Sequence, residues 1–219
     1  MKPNIVIISC SPKAGNSMSD TIAGYLKEKF ESNEIAVQKI ILRKEAANIN
    51  AIIESIDRSD TLILTLPIYE NSVPGLAVQL FESVWQNRNC LINKKTRVFV
   101  ITNSGFADIS ANHSAIETCR LFTEAMGFEW LGGTSVVPGT LLSEYSIQAL
   151  KHTYKKLTWS LDMIANSISD NRTVPAEAFK LLSRPFINRY VYLVGGYILQ
   201  KKVMKKLGKS TYYAKPLGV

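Results

Sequence analysis

The chain has 219 residues, 46% of them hydrophobic, which is enough for a real core in one domain with an appendage or in two small domains. Its three cysteines, Cys10, Cys90 and Cys119, are odd in number and none has a C-x-x-C partner; this argues against a disulfide framework and a cysteine-built metal site, and suits a reducing cytoplasm. The formal charge is +8, but residues 172–219 hold ten Lys or Arg against one acid, Glu177, which leaves residues 1–171 close to neutral.

The start, Met1 to Asn4 and then Ile5 to Ile8, is too short and too soon polar for a signal peptide, and no run of about 18 apolar residues offers a spanning helix. Ile5-Val6-Ile7-Ile8 has no polar alternation, which suits a strand buried on both faces of a parallel sheet. The loop Ser9 to Ser17 follows, then a helix carrying Ile22, Leu26 and Phe30 one turn apart. Val37 to Leu42 reads as a second strand and Asn50 to Arg58 as a short helix. Thr61 to Leu66 is a third strand, stopped by Pro67, and Leu76, Leu80 and Val84 mark the next helix. Arg97 to Thr102 is a fourth strand, closing on Asn103-Ser104-Gly105-Phe106. Ile116, Cys119, Phe122 and Met126 line a helix that Gly127 can end in a left-handed conformation. Glu129 to Val137 supplies a fifth strand, and Ile147, Leu150, Tyr154, Leu157, Leu161, Ile164 and Ile168 give a last helix of regular spacing.

Strands alternating with helices imply right-handed βαβ units. Five strands by about residue 137 predict an α/β, flavodoxin-like doubly wound parallel sheet of order 2-1-3-4-5 over residues 1–171, with a basic C-terminal helical extension over 172–219. In such sheets the ligand sits beyond the carboxyl ends of the strands, where strand order reverses. The loops after strands one, three and four are therefore the expected site.

The first loop offers the hydroxyls of Ser9, Ser11 and Ser17, the Asn16 amide and the Lys13 ammonium at a helix start, and a monophosphate needs many donors in a small space. On its own the loop reads equally well as an N-capping serine-rich turn. It lacks G-K-[ST] and G-x-G-x-x-G, and strand two ends at Leu42-Arg43 without an acid for a ribose. The second loop, Pro67 to Gly75, has Tyr69 as an aromatic wall for a flat ring and backbone groups from Ile68 to Ser72 for its polar edge; the plain alternative is a proline-bounded turn. The third loop, Asn103 to Phe106, is by itself an ordinary glycine turn.

Taken together, Cys10-Ser11-Pro12-Lys13-Ala14-Gly15-Asn16-Ser17 resembles the G-S-P-R-x-x-G-N-T loop of the NAD(P)H-dependent FMN reductases of the flavodoxin superfamily. Leu66-Pro67-Ile68-Tyr69 is similar to that family's T-P-x-Y, and the likeness covers about Met1 to Ser169. The resemblance implies non-covalent FMN, hydride transfer from NADPH or NADH to the flavin, and onward reduction of a quinone, a flavin or a similar small acceptor. It implies a cofactor-binding set of Ser9, Ser11, Lys13, Asn16, Ser17, Met18, Pro67, Ile68, Tyr69, Glu70, Asn71, Asn103, Ser104, Gly105 and Phe106. It implies no catalytic side chain, because hydride passes between stacked rings and catalysis is mostly positioning. Two residues depart from the pattern: Cys10 stands where glycine is usual, and Glu70 where an aromatic residue is frequent.

Competing readings are a flavodoxin-type electron carrier and a flavodoxin-like binding or regulatory domain without flavin. His113 and His152 lack a metal-ligand partner at i+4, and no metal is expected. A homodimer is expected. The tail, with ten apolar residues from Tyr190 to Leu199 and then Lys201, Lys202, Lys205, Lys206 and Lys209, reads as a dimer-packing segment, a peripheral membrane contact, or a site for an acidic partner. No stacked-aromatic motif points to nucleic acid.

Overall fold

A computed structural model describes residues 2–93, 95–105, 109–137, 154–182 and 189–207. Two compact units are present, Met1–Phe186 and Ile187–Val219.

The first unit is a five-stranded sheet of order β2-β1-β3-β4-β5, every neighbouring pair parallel. Its strands are β1 Ile5–Ser9, β2 Val37–Ile41, β3 Thr61–Pro67, β4 Arg97–Asn103 and β5 Glu129–Val136. Between them run α1 Met18–Ser32, a single turn α2 Leu42–Glu45, α3 Ile49–Asp57, α4 Gly75–Gln86 and α5 His113–Ala125. After β5 come α6 Lys155–Ser169 and α7 Ala176–Leu182. The order is the one expected from the sequence, with flavodoxin-like topology. Leu42 turns out of β2 into a helical turn, and β3 and β4 each extend one residue past their expected ends. Ile147 and Leu150, expected on the last helix, lie outside the described residues.

Successive strand side chains point to opposite faces, so each apolar run feeds two cores. Ile5, Ile7, Ile63, Phe99 and Ile101 pack on one face, against Ile22, Leu26 and Phe30 of α1 and Leu157, Leu161, Ile164 and Ile168 of α6. Val6, Ile8, Leu62, Leu64, Val98 and Val100 pack on the other, against Ile52 and Ile56 of α3, Leu80 and Val84 of α4, and Cys119 of α5. Burial on both faces is why these strands lack alternation.

The short helix α7 belongs to the first core. Ala178 and Leu182 are buried there, and Phe179 meets Phe99 with ring centroids 6.0 Å apart. A bulge in β5, where pairing steps from Val98–Trp130 to Phe99–Gly132, opens room for it. Gly132 has φ +130°, and a Cβ there would lie 2.8 Å from Phe179 Cζ. The change of composition after Asn171 therefore falls inside the first unit, which continues to Phe186.

Candidate flavin site

The chain leaves β1 for β2 on one side and later returns to β3 on the other, so the carboxyl ends of β1 and β3 form the reversal point. Backbone bonds hold the loops there in line. The Cys10 amide donates to the Thr65 carbonyl at 2.8 Å, and the Ile68 amide to the Asn103 carbonyl at 2.8 Å. Strands lie roughly 4.8 Å apart, so three adjacent strand ends span about 10 Å.

A cavity of about 130 Å³ opens at these ends, lined by Ser11, Lys13, Ser17, Met18, Pro67, Ile68, Tyr69, Asn103, Ser104 and Gly105. These residues come from all three expected loops. Ser17 caps α1, its hydroxyl accepting from the Asp20 amide at 3.1 Å, and Gly15 makes the preceding turn at φ +86°. The Ser11 hydroxyl accepts from the Lys13 amide at 3.3 Å. The resulting end of the cavity holds two hydroxyls, an ammonium and a helix N-terminus, all suited to an anion.

The second loop closes as a two-residue turn, Tyr69 and Ser72 exchanging amide–carbonyl bonds of 3.2 and 2.9 Å. Glu70 and Asn71 at its tip have φ +48° and +60°, as a type I′ turn requires. The Ser114 hydroxyl donates to the Asn71 carbonyl and ties the turn to α5. Tyr69 is 50% exposed at the cavity rim, which leaves its ring free for a flat ligand. Ile68 beside it is buried.

On the third loop Asn103 donates to the Ser19 hydroxyl at 2.8 Å and to the Leu66 carbonyl at 3.1 Å, joining β4 to α1 and β3. Ser104 is only 4% exposed, and its Oγ has no hydrogen-bond partner among the described residues. A buried hydroxyl costs free energy unless it is bonded, so one lining a cavity marks a place for a polar ligand atom. The donor-rich end, the aromatic rim and this orphaned hydroxyl are groups that could hold a flavin mononucleotide.

Residues 3–127 match the family model of the NADPH-dependent FMN reductases. The chain belongs to that family. It is an oxidoreductase whose cofactors are FMN and a reduced nicotinamide. No curated protein matches the chain by sequence. The solved structures it resembles include an apo NADH:FMN oxidoreductase, 14% identical over 86% of this chain and 98% of that one, with a TM-score of 0.56. An FMN-dependent NADH-azoreductase from Bacillus anthracis is 13% identical, covering 76% and 99% of the two chains at a TM-score of 0.53. An NAD(P)H:quinone oxidoreductase from Methanothermobacter marburgensis is 14% identical, covering 77% and 96% at 0.52. At these identities the likeness is one of fold.

Several expected site residues are not among those that line this cavity. Ser9 is fully buried and donates to the Asp20 carboxylate at 2.5 Å, so its hydroxyl supports the loop from beneath. Asn16, Glu70 and Asn71 are exposed and are not among the residues that line the cavity. Phe106 lies outside the described residues. Cys10 continues the face of Val6 and Ile8, and its side chain enters the core. Burial, and then the nearby Cys119, push its thiol far up, which disfavours the reactive thiolate. The backbone accepts a side chain at this position because that side chain points away from the cavity.

One pair was not foreseen. Arg43, just past β2, bridges Asp20 of α1 at 2.8 Å, with the two side chains 15% and 14% exposed. The same guanidinium donates to the Gly15 carbonyl at 3.1 Å and the Ser11 carbonyl at 3.4 Å. Burial alone would raise the Asp20 pKa; hydrogen bonds from Arg43 and Ser9 and the Arg43 charge overcome it and hold the carboxyl below its usual range. The local signal was Ser17-x-x-Asp20, a capping pattern. Nothing local to Arg43 announced its partner.

Proposed function

We propose that the enzyme passes hydride from NADPH or NADH to FMN in this cavity and then reduces a small acceptor, a quinone or a free flavin. The convergence of the three loops around the orphaned Ser104 hydroxyl carries the reading. Bound FMN supplies a ring that takes a hydride and gives electrons onward, and the protein positions it. Ser11, Lys13 and Ser17 bind the phosphate, helped by the α1 N-terminus. Met18, Pro67 and Ile68 exclude water along the cavity wall, and Tyr69 lies against the ring. Asn103, Ser104 and Gly105 orient the polar end of the ring. The open rim beside Tyr69 admits first the nicotinamide and then the acceptor.

Exposed Val78 and Trp85 on α4 and Leu121 on α5, helices joined by the stacked Phe81–Phe122 pair, support a homodimer. Three free cysteines, Cys90 exposed among them, support a cytoplasmic setting.

The test is anaerobic. Protein reconstituted with FMN should lose its visible flavin absorbance when NADPH or NADH is added, and regain it on addition of a quinone. Flavin that binds but does not bleach would indicate an electron carrier. Failure to retain FMN at all would overturn the site.

A further inference from the structure

Two buried side-chain atoms among the described residues have no hydrogen-bond partner, Ser104 Oγ and Asn112 Oδ1. The flavin reading uses only the first. Asn112 ends the short turn Ser110–Asn112 that leads into α5, and it is fully buried. An asparagine at this N-cap position ordinarily accepts from an amide in the first helical turn, but the Asn112 side chain makes no such bond. Its amide nitrogen turns instead to the Thr102 hydroxyl of β4, at 3.2 Å.

The bonds around Thr102 fix which way the amide points. The Thr134 carbonyl, 3.3 Å from Thr102 Oγ1, can only accept, so it takes the one proton of that hydroxyl. Thr102 Oγ1 then accepts, from the Asn112 amide and from the Ser135 hydroxyl at 2.8 Å. With its nitrogen held on Thr102, Asn112 turns its carbonyl oxygen away from that residue. Thr102 stands two residues before Ser104, which lines the cavity, and two residues of extended chain span about 7 Å. Both unpartnered oxygens therefore belong to the end of β4 that meets the cavity. A buried acceptor left unbonded destabilises the fold, so the position calls for a donor. A hydroxyl that can donate and an amide oxygen that can only accept complement an imide edge, where a carbonyl adjoins an N–H. The polar end of a flavin ring carries such an edge.

We infer that Asn112 is a cofactor-binding residue: Asn112 Oδ1 accepts from the imide N–H of the flavin ring while Ser104 Oγ donates to an adjoining ring carbonyl. Asn112 is not in the cavity lining, so it meets the part of the ring edge that enters deepest, next to Ser104. The inference rests on the flavin reading and adds to it the residue that selects the ring's edge.

The probes are FMN and FMN methylated on its imide nitrogen, which has lost the N–H. Each is titrated into the full-length flavin-free protein, with flavin fluorescence as the readout. The natural protein should bind FMN at least about tenfold more tightly than the methylated form, because a site built around a donor rejects the analogue lacking it. Asn112→Ala should weaken FMN about tenfold and leave the methylated form nearly unchanged, so the ratio collapses. Asn112→Asp keeps an accepting oxygen and should preserve the ratio. If the alanine variant does not fold, the natural protein still decides: equal affinity for the two flavins overturns the inference. So does an alanine variant that weakens both flavins equally, since Asn112 is then only structural. Both of these outcomes leave the flavin reading standing, whereas failure to bind either flavin removes that reading and this inference with it.

Discussion

Replacing Arg43 by alanine tests the support beneath the phosphate loop most directly. It leaves the Asp20 carboxylate with the Ser9 hydroxyl and the Ser17-capped helix start but no counter-charge, and it frees the carbonyls of Ser11 and Gly15. Removing one partner of a fully buried pair costs about 3–5 kcal/mol, whereas exposed pairs contribute about 1 kcal/mol or less. At 15% and 14% exposure the expected loss lies between, at about 2–3 kcal/mol. Urea unfolding followed by tryptophan fluorescence measures it. FMN affinity should fall about tenfold as well, because the loop must then be ordered on binding. Arg43→Lys, which keeps the charge but loses the fork, should lie between. The pH dependence has a definite sign. The folded pKa of Asp20 is depressed, so its contribution is complete above the unfolded value of about 3.9 and is lost as pH falls through the lower folded value. In the alanine variant only the Ser9 and Ser17 hydrogen bonds still oppose burial, so the carboxyl protonates sooner and the gap between the two proteins should narrow on acidification. A gap that does not change with pH, or an unchanged FMN affinity, would refute the brace.

Ser104→Ala removes a buried hydroxyl that has no described partner. The flavin-free protein should melt at the same temperature or higher while its FMN dissociation constant rises about tenfold, at roughly 1.5 kcal/mol for the lost bond. Iodoacetamide applied to the native protein should label exposed Cys90 and spare Cys10 and Cys119, as peptide mass spectrometry would show, because burial raises both core thiols, Cys119 to about 12. Gly132→Ala should destabilise by about 2–3 kcal/mol in thermal or urea melts, since the new Cβ meets Phe179 at 2.8 Å on a backbone with φ +130°. Pairing it with Phe179→Leu should recover part of that loss.

The strands and their order were legible because each depends on neighbours in the chain. A run such as Ile5 to Ile8 with no polar alternation implies burial on both faces, and Leu157, Leu161, Ile164 and Ile168 mark one helix face. The three loops were legible for the same reason, as breaks of unusual composition at strand ends. Even the direction of Cys10 was implicit, since it shares the parity of Val6 and Ile8. Which loop residues face the cavity was not legible. Ser9 and Ser11 look alike in sequence, but one lies under the loop on Asp20 and the other lines the cavity. Arg43 meets Asp20, 23 residues earlier, only because β2 lies beside β1. Asn103 reaches Ser19, 84 residues earlier, only because β4 ends near the start of α1. Composition assigned α7 to the basic tail, and in the structure its Ala178 and Leu182 are buried in the first core. Periodicity and turn chemistry act over a few residues and can be read from the chain. Contacts across a sheet follow from strand order, and only the folded structure brings those side chains together.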